Sequence, residues 1–113
     1  MTADDFRRIA LALPEAVEAG HMGHPDFRVR GKIFASLPEA AKGVLKLQPA
    51  QQEIMVAAEP GIFGPVNGYW GRSGWTFVTL VAADEATLKG ALASAWRNTA
   101  PPKLIAKYEG AEA

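Results

Sequence analysis

Cysteine is absent from the 113 residues, which removes disulfides, thiolate nucleophiles and thiolate metal sites together. No apolar run approaches the length needed to span a bilayer. Neither charge is in excess. The 12 basic residues are matched by 12 acidic ones, whereas a dedicated nucleic-acid-binding domain generally has a pI above about 9. Met1-Thr2-Ala3-Asp4-Asp5 lacks the basic-then-apolar order of a secretory signal. With no thiols and no such signal, the expectation is a soluble cytoplasmic protein without a membrane partner. The sequence also lacks the phosphate-cradling G-x-x-x-x-G-K-[ST], a G-x-G-x-x-G that opens a helix, and the G-x-S-x-G of a nucleophile elbow. Its carboxylates fall mostly at helix starts, where they oppose the helix dipole. No catalytic residue stands out, so the expectation is a protein that is not an enzyme and uses no cofactor.

What is present suits one globular domain over residues 1–113, with 49% apolar and 21% charged residues. Thr2 followed by Asp5 predicts a helix start, and Phe6, Ile9, Ala10 and Leu13 continue at helical spacing until Pro14. A short strand is expected between Val17 and Met22. Phe27 to Arg30, Ile33 to Leu37 and Val44 to Gln48 read as a meander of three strands. The register around Gly31 is open. Pairing Val29 with Ile33 places Phe27, Val29, Ile33, Ala35 and Leu37 on a core face with Leu45 and Leu47. Arg28, Phe34, Ser36 and Lys46 then share the other face.

Pro49 suits the first turn of a second helix, with Gln51, Ile54, Met55 and Ala58 on one stripe. Trp75 to Val81 reads as a buried strand, with part of Val66 to Gly71 as its hairpin partner and Ser73-Gly74 as the turn. Asp84 caps a strong helix with Leu88, Ala91, Leu92, Ala95 and Trp96 on its apolar stripe, and Lys103 to Tyr108 forms a last short helix ahead of a frayed tail. This order implies an α+β domain, a two-layer antiparallel sheet with helices on one face.

Charge is unevenly spread along the chain. Residues 28–46 carry Arg28, Arg30, Lys32, Lys42 and Lys46 against Glu39 alone, while residues 1–27 are net acidic. Arg28 and Lys46, with Arg30 and Lys32, are candidates for an anion-binding sheet face, since lysine and arginine supply sequence-independent affinity for phosphates. The simpler alternative is that these charges only solvate an open sheet.

The Gly61 to Trp75 stretch concentrates glycine, proline and aromatic residues in one shaped corner. Its simplest role is architectural. A functional role would use Tyr69, Trp70 and Trp75 as stacking surfaces and Arg72 as an anion contact. Glu18, His21 and His24 form an E-x-x-H-x-x-H series, but Gly20, Gly23 and Pro25 argue against a helix there. No metal site is expected from it, and an enzyme using His21 or His24 is the weakest reading.

The segments Leu13-Pro14-Glu15-Ala16-Val17-Glu18, Gly23-His24-Pro25-Asp26-Phe27-Arg28-Val29, Gly31-Lys32-Ile33-Phe34-Ala35, Asn67-Gly68-Tyr69-Trp70-Gly71 and Ala95-Trp96-Arg97 together resemble the YjbR/MmcQ-type domain. The resemblance spans nearly the whole chain in order. It implies an α-β(3)-α-β(2)-α arrangement like that of secretion chaperones, a family commonly labelled DNA-binding, and no established reaction. The implied partner is DNA across a basic sheet face. The alternative is a protein-interaction or adaptor domain, acting as a homodimer or with a protein partner.

Overall fold

A computed structural model describes residues 1–21 and 23–112 of the chain. Helix α1, Ala3–Leu11, begins with a reciprocal cap: the Asp5 amide donates to Thr2 Oγ1 (3.1 Å) and the Thr2 amide to Asp5 Oδ2 (2.8 Å). Its Phe6, Ile9 and Ala10 are buried. Four strands follow in an antiparallel meander: β1 Ala16–His21, β2 His24–Val29, β3 Lys32–Glu39 and β4 Lys42–Lys46. The short strand expected between Val17 and Met22 is thus β1, one of four strands rather than an addition to three; Met22 lies outside the described residues. The β2–β3 turn is two residues long, with Arg30 at φ 52° and Gly31 at φ 80°. Two consecutive positive φ values match the twist of a tight hairpin.

Helix α2, Pro49–Ala58, leads to the edge strand β5, Phe63–Pro65. A five-residue helix α3, Gly68–Arg72, returns the chain into β6, Trp75–Thr79. The six strands are ordered β1-β2-β3-β4-β6-β5, so β6 inserts between β4 and the edge. The hairpin partner expected from Val66 to Gly71 is instead Phe63–Pro65, and residues 68–72 coil. A Cβ at Gly71 would lie 1.6 Å from the Val66 carbonyl oxygen, an approach only glycine permits. The strand predicted to reach Val81 stops at Thr79, and Leu80–Ala82 form one 3₁₀ turn.

Helix α4, Glu85–Thr99, starts at Asp84, which accepts from the Thr87 amide (2.7 Å), and buries Leu88, Ala91, Leu92, Ala95 and Trp96, the stripe read from sequence. Trp96 donates its indole N–H to the Pro14 carbonyl (3.0 Å) and meets Tyr108 edge-on from α5, Pro102–Glu112. Helices α1 and α4 pack on the same face of the sheet, over β1, β3 and β4, leaving the opposite face open. Among the described residues no helix is long and apolar enough to cross a membrane.

The register corrects two facial assignments. Phe27 pairs with Ala35, but Arg28 pairs with Ile33, so Phe34 is an extra residue in β3. A bulge of this kind inverts the alternation beyond it. Phe34 is therefore buried, and half-buried Ile33 joins Arg28 on the open face. In α2 none of the residues is fully buried, and Ile54, expected on the apolar stripe, is 69% exposed. This helix lies over the sheet edge, where one strand cannot cover it.

One polar side chain pins that edge. Gln52 donates from Nε2 to the carbonyls of Gly71 (3.0 Å) and Trp75 (3.0 Å) and lies 3.1 Å from Thr76 Oγ1. The Thr76 hydroxyl is fully buried and donates to the Gly74 carbonyl (2.8 Å). Replacing Gln52 with Ala leaves these acceptors short of a donor and is expected to cost about 1–3 kcal/mol, read as a lower urea midpoint. Gly71→Ala forces the corner apart and is expected to cost at least about 1–3 kcal/mol in the same measurement.

The helix caps add a pH dependence. Asp5 and Asp84 are held below the ordinary value of 3.8, chiefly by backbone N–H groups of Thr2 and Thr87 that bond the ionised form. Stability from a depressed carboxyl is complete above its unfolded pKa and is lost as pH falls through the folded one. The stability gap between the wild type and Asp84→Ala is accordingly expected to narrow as pH drops from about 5 toward 1, followed by thermal unfolding across that range.

Candidate binding face: the open sheet and its aromatic corner

Cross-strand pairing decides which side chains share the open face, because directly opposed residues point to the same side. One row runs Ala19, Asp26, Ser36, Val44 and Phe77, and a neighbouring one joins Val17, Arg28 and Ile33. On β4, Lys42, Val44 and Lys46 alternate toward this face, and Lys46 stands opposite Trp75. The Lys42 ammonium lies 5.0 Å from the centroid of Phe77, and that of Lys46 lies 5.8 Å from Trp75. Both are within cation–π range. Among the described residues neither lysine has a carboxylate partner.

The basic segment seen in the sequence is divided by this geometry. Arg28 does reach the open face but grips Asp26 with two bonds, Nε to Oδ1 (2.8 Å) and a terminal nitrogen to Oδ2 (3.1 Å). Asp26 is buried beneath it at 3% exposure, and this bond pushes the guanidinium pKa up. Arg30, in the hairpin turn, binds Glu15 in the same two-pronged way at 2.5 and 3.0 Å. The Arg30 guanidinium in turn holds the Glu15 carboxyl below its usual range. Lys32 pairs across from the buried Val29, so it belongs to the helix-covered side and not to the open face. Of the cations proposed for one patch, Lys46 alone is on this face without a carboxylate partner among the described residues.

Lys42 is the functional candidate that sequence reasoning missed. The strand expected from sequence starts only at Val44, whereas β4 begins at Lys42 itself. The i, i+2, i+4 repeat of Lys42, Val44 and Lys46 was the available signal. Phe77, expected from sequence only as part of a buried strand, shares the open side with Trp75 two residues before it.

The aromatic corner meets this face through Trp75. Trp70 packs edge-on against Trp75 (centroids 6.2 Å apart), and Tyr69 packs edge-on against Trp70 (5.9 Å). Tyr69 and Trp70 remain 67% and 60% exposed, so they extend the face rather than fill the core. Arg72 does not join them. It lines a separate groove with Gln52, Asn67 and Gly68, on the side of the corner that α2 covers.

A cavity of about 320 Å³ opens on the same sheet face. Ile33, Pro38, Val44 and Trp75 give it apolar walls, and His24, Asp26 and Ser36 bring polar groups to it. At the far end of β2 the His21 and His24 backbones face each other across the hairpin, while Glu18 is engaged by Arg7 at 2.8 Å. Among the described residues no three histidines or carboxylates are grouped to hold a metal ion.

The chain matches the YjbR family over residues 11–98. Its fold is similar to the crystal structure of Deinococcus radiodurans protein DR2400, which carries a DUF419 domain, with a TM-score of 0.69 at 22% identity. That match covers 84% of this chain and 75% of the other. Comparison with curated proteins gives no match. The family match extends from the end of α1 through the sheet and the aromatic corner into α4, and the chain belongs to the YjbR family.

Proposed function

We propose that this protein is a non-enzymatic, cytoplasmic binding module that lays a single strand of DNA across its open sheet face. Phosphates meet Lys42 and Lys46, and bases stack on the exposed Trp70. The observation that carries this reading is the pair of lysines held over Phe77 and Trp75 at 5.0 and 5.8 Å, beside an exposed tryptophan. A groove of cations interleaved with aromatic faces is what a single strand uses, since every base offers a π-face and every nucleotide a phosphate. With zero net charge and two arginines neutralised by neighbouring acids, the electrostatic part is small and local.

Titration of tryptophan fluorescence with a short single-stranded oligonucleotide, at low and moderate salt, tests the reading. Two phosphate contacts correspond to a slope of log K against log salt of about −1.4. The Lys42→Ala, Lys46→Ala double variant is expected to flatten that slope toward zero, and Trp70→Ala to weaken binding by about 1–3 kcal/mol. Affinity unchanged in the double variant removes the proposal.

A second reading, a protein-interaction domain or homodimer, draws on the apolar content of the same face, where Val17 is 54% exposed and Ile33 and Val44 are half-buried on strands further across. Light scattering on the purified chain separates the two, because a dimer formed through this face would be dissociated by Val17→Lys.

A further inference from the structure

We propose that the cavity on the open face is a subsite for one nucleobase bearing an exocyclic amino group, cytosine in preference to uracil or thymine. This rests on the single-strand reading above and gives it a sequence preference. The position comes from β4: Lys42 and Lys46 flank Val44 on one face of the strand, and Val44 lines the cavity. Four residues of strand separate the lysines by about 13 Å. A backbone held at both ammonium groups therefore passes over the cavity, and the base between them hangs above it. At about 320 Å³ the cavity is at the small end of ligand sites, roomy enough for one base.

The lining selects the kind of base. Trp75, Ile33 and Pro38 offer apolar surface to a flat ring. Among the described residues nothing hydrogen-bonds the Ser36 hydroxyl, which leaves one group that both donates and accepts. The Asp26 carboxylate gives one lone pair of each oxygen to Arg28 and keeps a second on each. An ionised carboxylate only accepts, so the edge facing it must donate. Cytosine presents an amino group at C4; uracil and thymine present a carbonyl oxygen there, and their one donor on that edge, N3–H, is flanked by two carbonyl oxygens that the carboxylate repels. Arg28 holds the carboxylate in place, as a positioning residue for the subsite.

The test compares oligo-dC with oligo-dU of equal length at neutral pH, since the two differ in the C4 substituent and the hydrogen on N3 but not in phosphate charge. The wild type is expected to prefer oligo-dC by about tenfold, the discrimination of one good polar base contact. Ser36→Ala is expected to shrink that preference, and Val44→Phe, which fills the cavity, to abolish it. Both variants should retain the wild-type salt dependence on either oligomer, since neither removes a lysine, with circular dichroism confirming the fold. If both oligomers bind equally and neither variant alters either affinity, the subsite is wrong while DNA binding stands. If Ser36→Ala weakens both oligomers to the same extent, the residue is structural and the subsite is again wrong. If neither oligomer binds at low salt, the single-strand reading fails and the subsite with it.

Discussion

The extra residue in β3 opposite Phe27 and Arg28 decides what each face of the sheet presents. Strand side chains alternate with period two, so one inserted residue exchanges the faces of everything on one side of it. Here Phe34 enters the core and Ile33 turns out beside Arg28. A second irregularity lies between Ser36 and Glu39, ahead of the return into β4, and Pro38 within it lines the open-face cavity. Without the first shift, Phe34 would turn to the open face and Ile33 to the helix-covered one. The open face owes Ile33 to a bulge, and Val44, Trp75 and Phe77 to plain alternation along β4 and β6.

Electrostatics on that face is set by pairing more than by count. Residues 28–46 look strongly basic in the sequence, yet the fold returns acids from the first 27 residues to two of the arginines. Asp26 sits beneath Arg28, and Glu15 meets Arg30 across the β1–β2 hairpin. An arginine already held in a bidentate bond offers little to a second anion, because its donors are committed in a fixed fork. Lysines 42 and 46 differ in kind: their partners are aromatic rings, which attract the cation without neutralising it.

The corner from Gly61 to Trp75 is both architecture and part of the face. Its backbone is fixed from behind by Gln52, whose amide reaches the carbonyls of Gly71 and Trp75 and the buried Thr76 hydroxyl. Close packing of Gly71 on Val66 leaves no room for another residue. That rigidity holds Trp75 under Lys46 and leaves Trp70 and Tyr69 on the rim. A stacking surface held this way loses little side-chain entropy when a ligand arrives.

Much of the fold was legible in the residues themselves. Thr2 with Asp5, Asp84, and the stripe from Leu88 to Trp96 specify helices by capping and periodicity, which are local properties. The alternation around Phe27, Ala35 and Leu45 specified a meander and its core side in the same way. The candidate site was legible only in part. Lys46, Trp70 and Trp75 could be singled out by type, but their meeting depends on β6 inserting beside β4, a pairing between residues some thirty positions apart. The sequence also could not show that Arg28 and Arg30 would be claimed by acids, that Lys32 would belong to the covered side, or that Lys42 would open a strand. Each of those outcomes follows from register and strand order, which arise from packing the whole sheet against α1 and α4. Local chemistry determined the elements and the side chains available, and tertiary pairing decided which of them face solvent together.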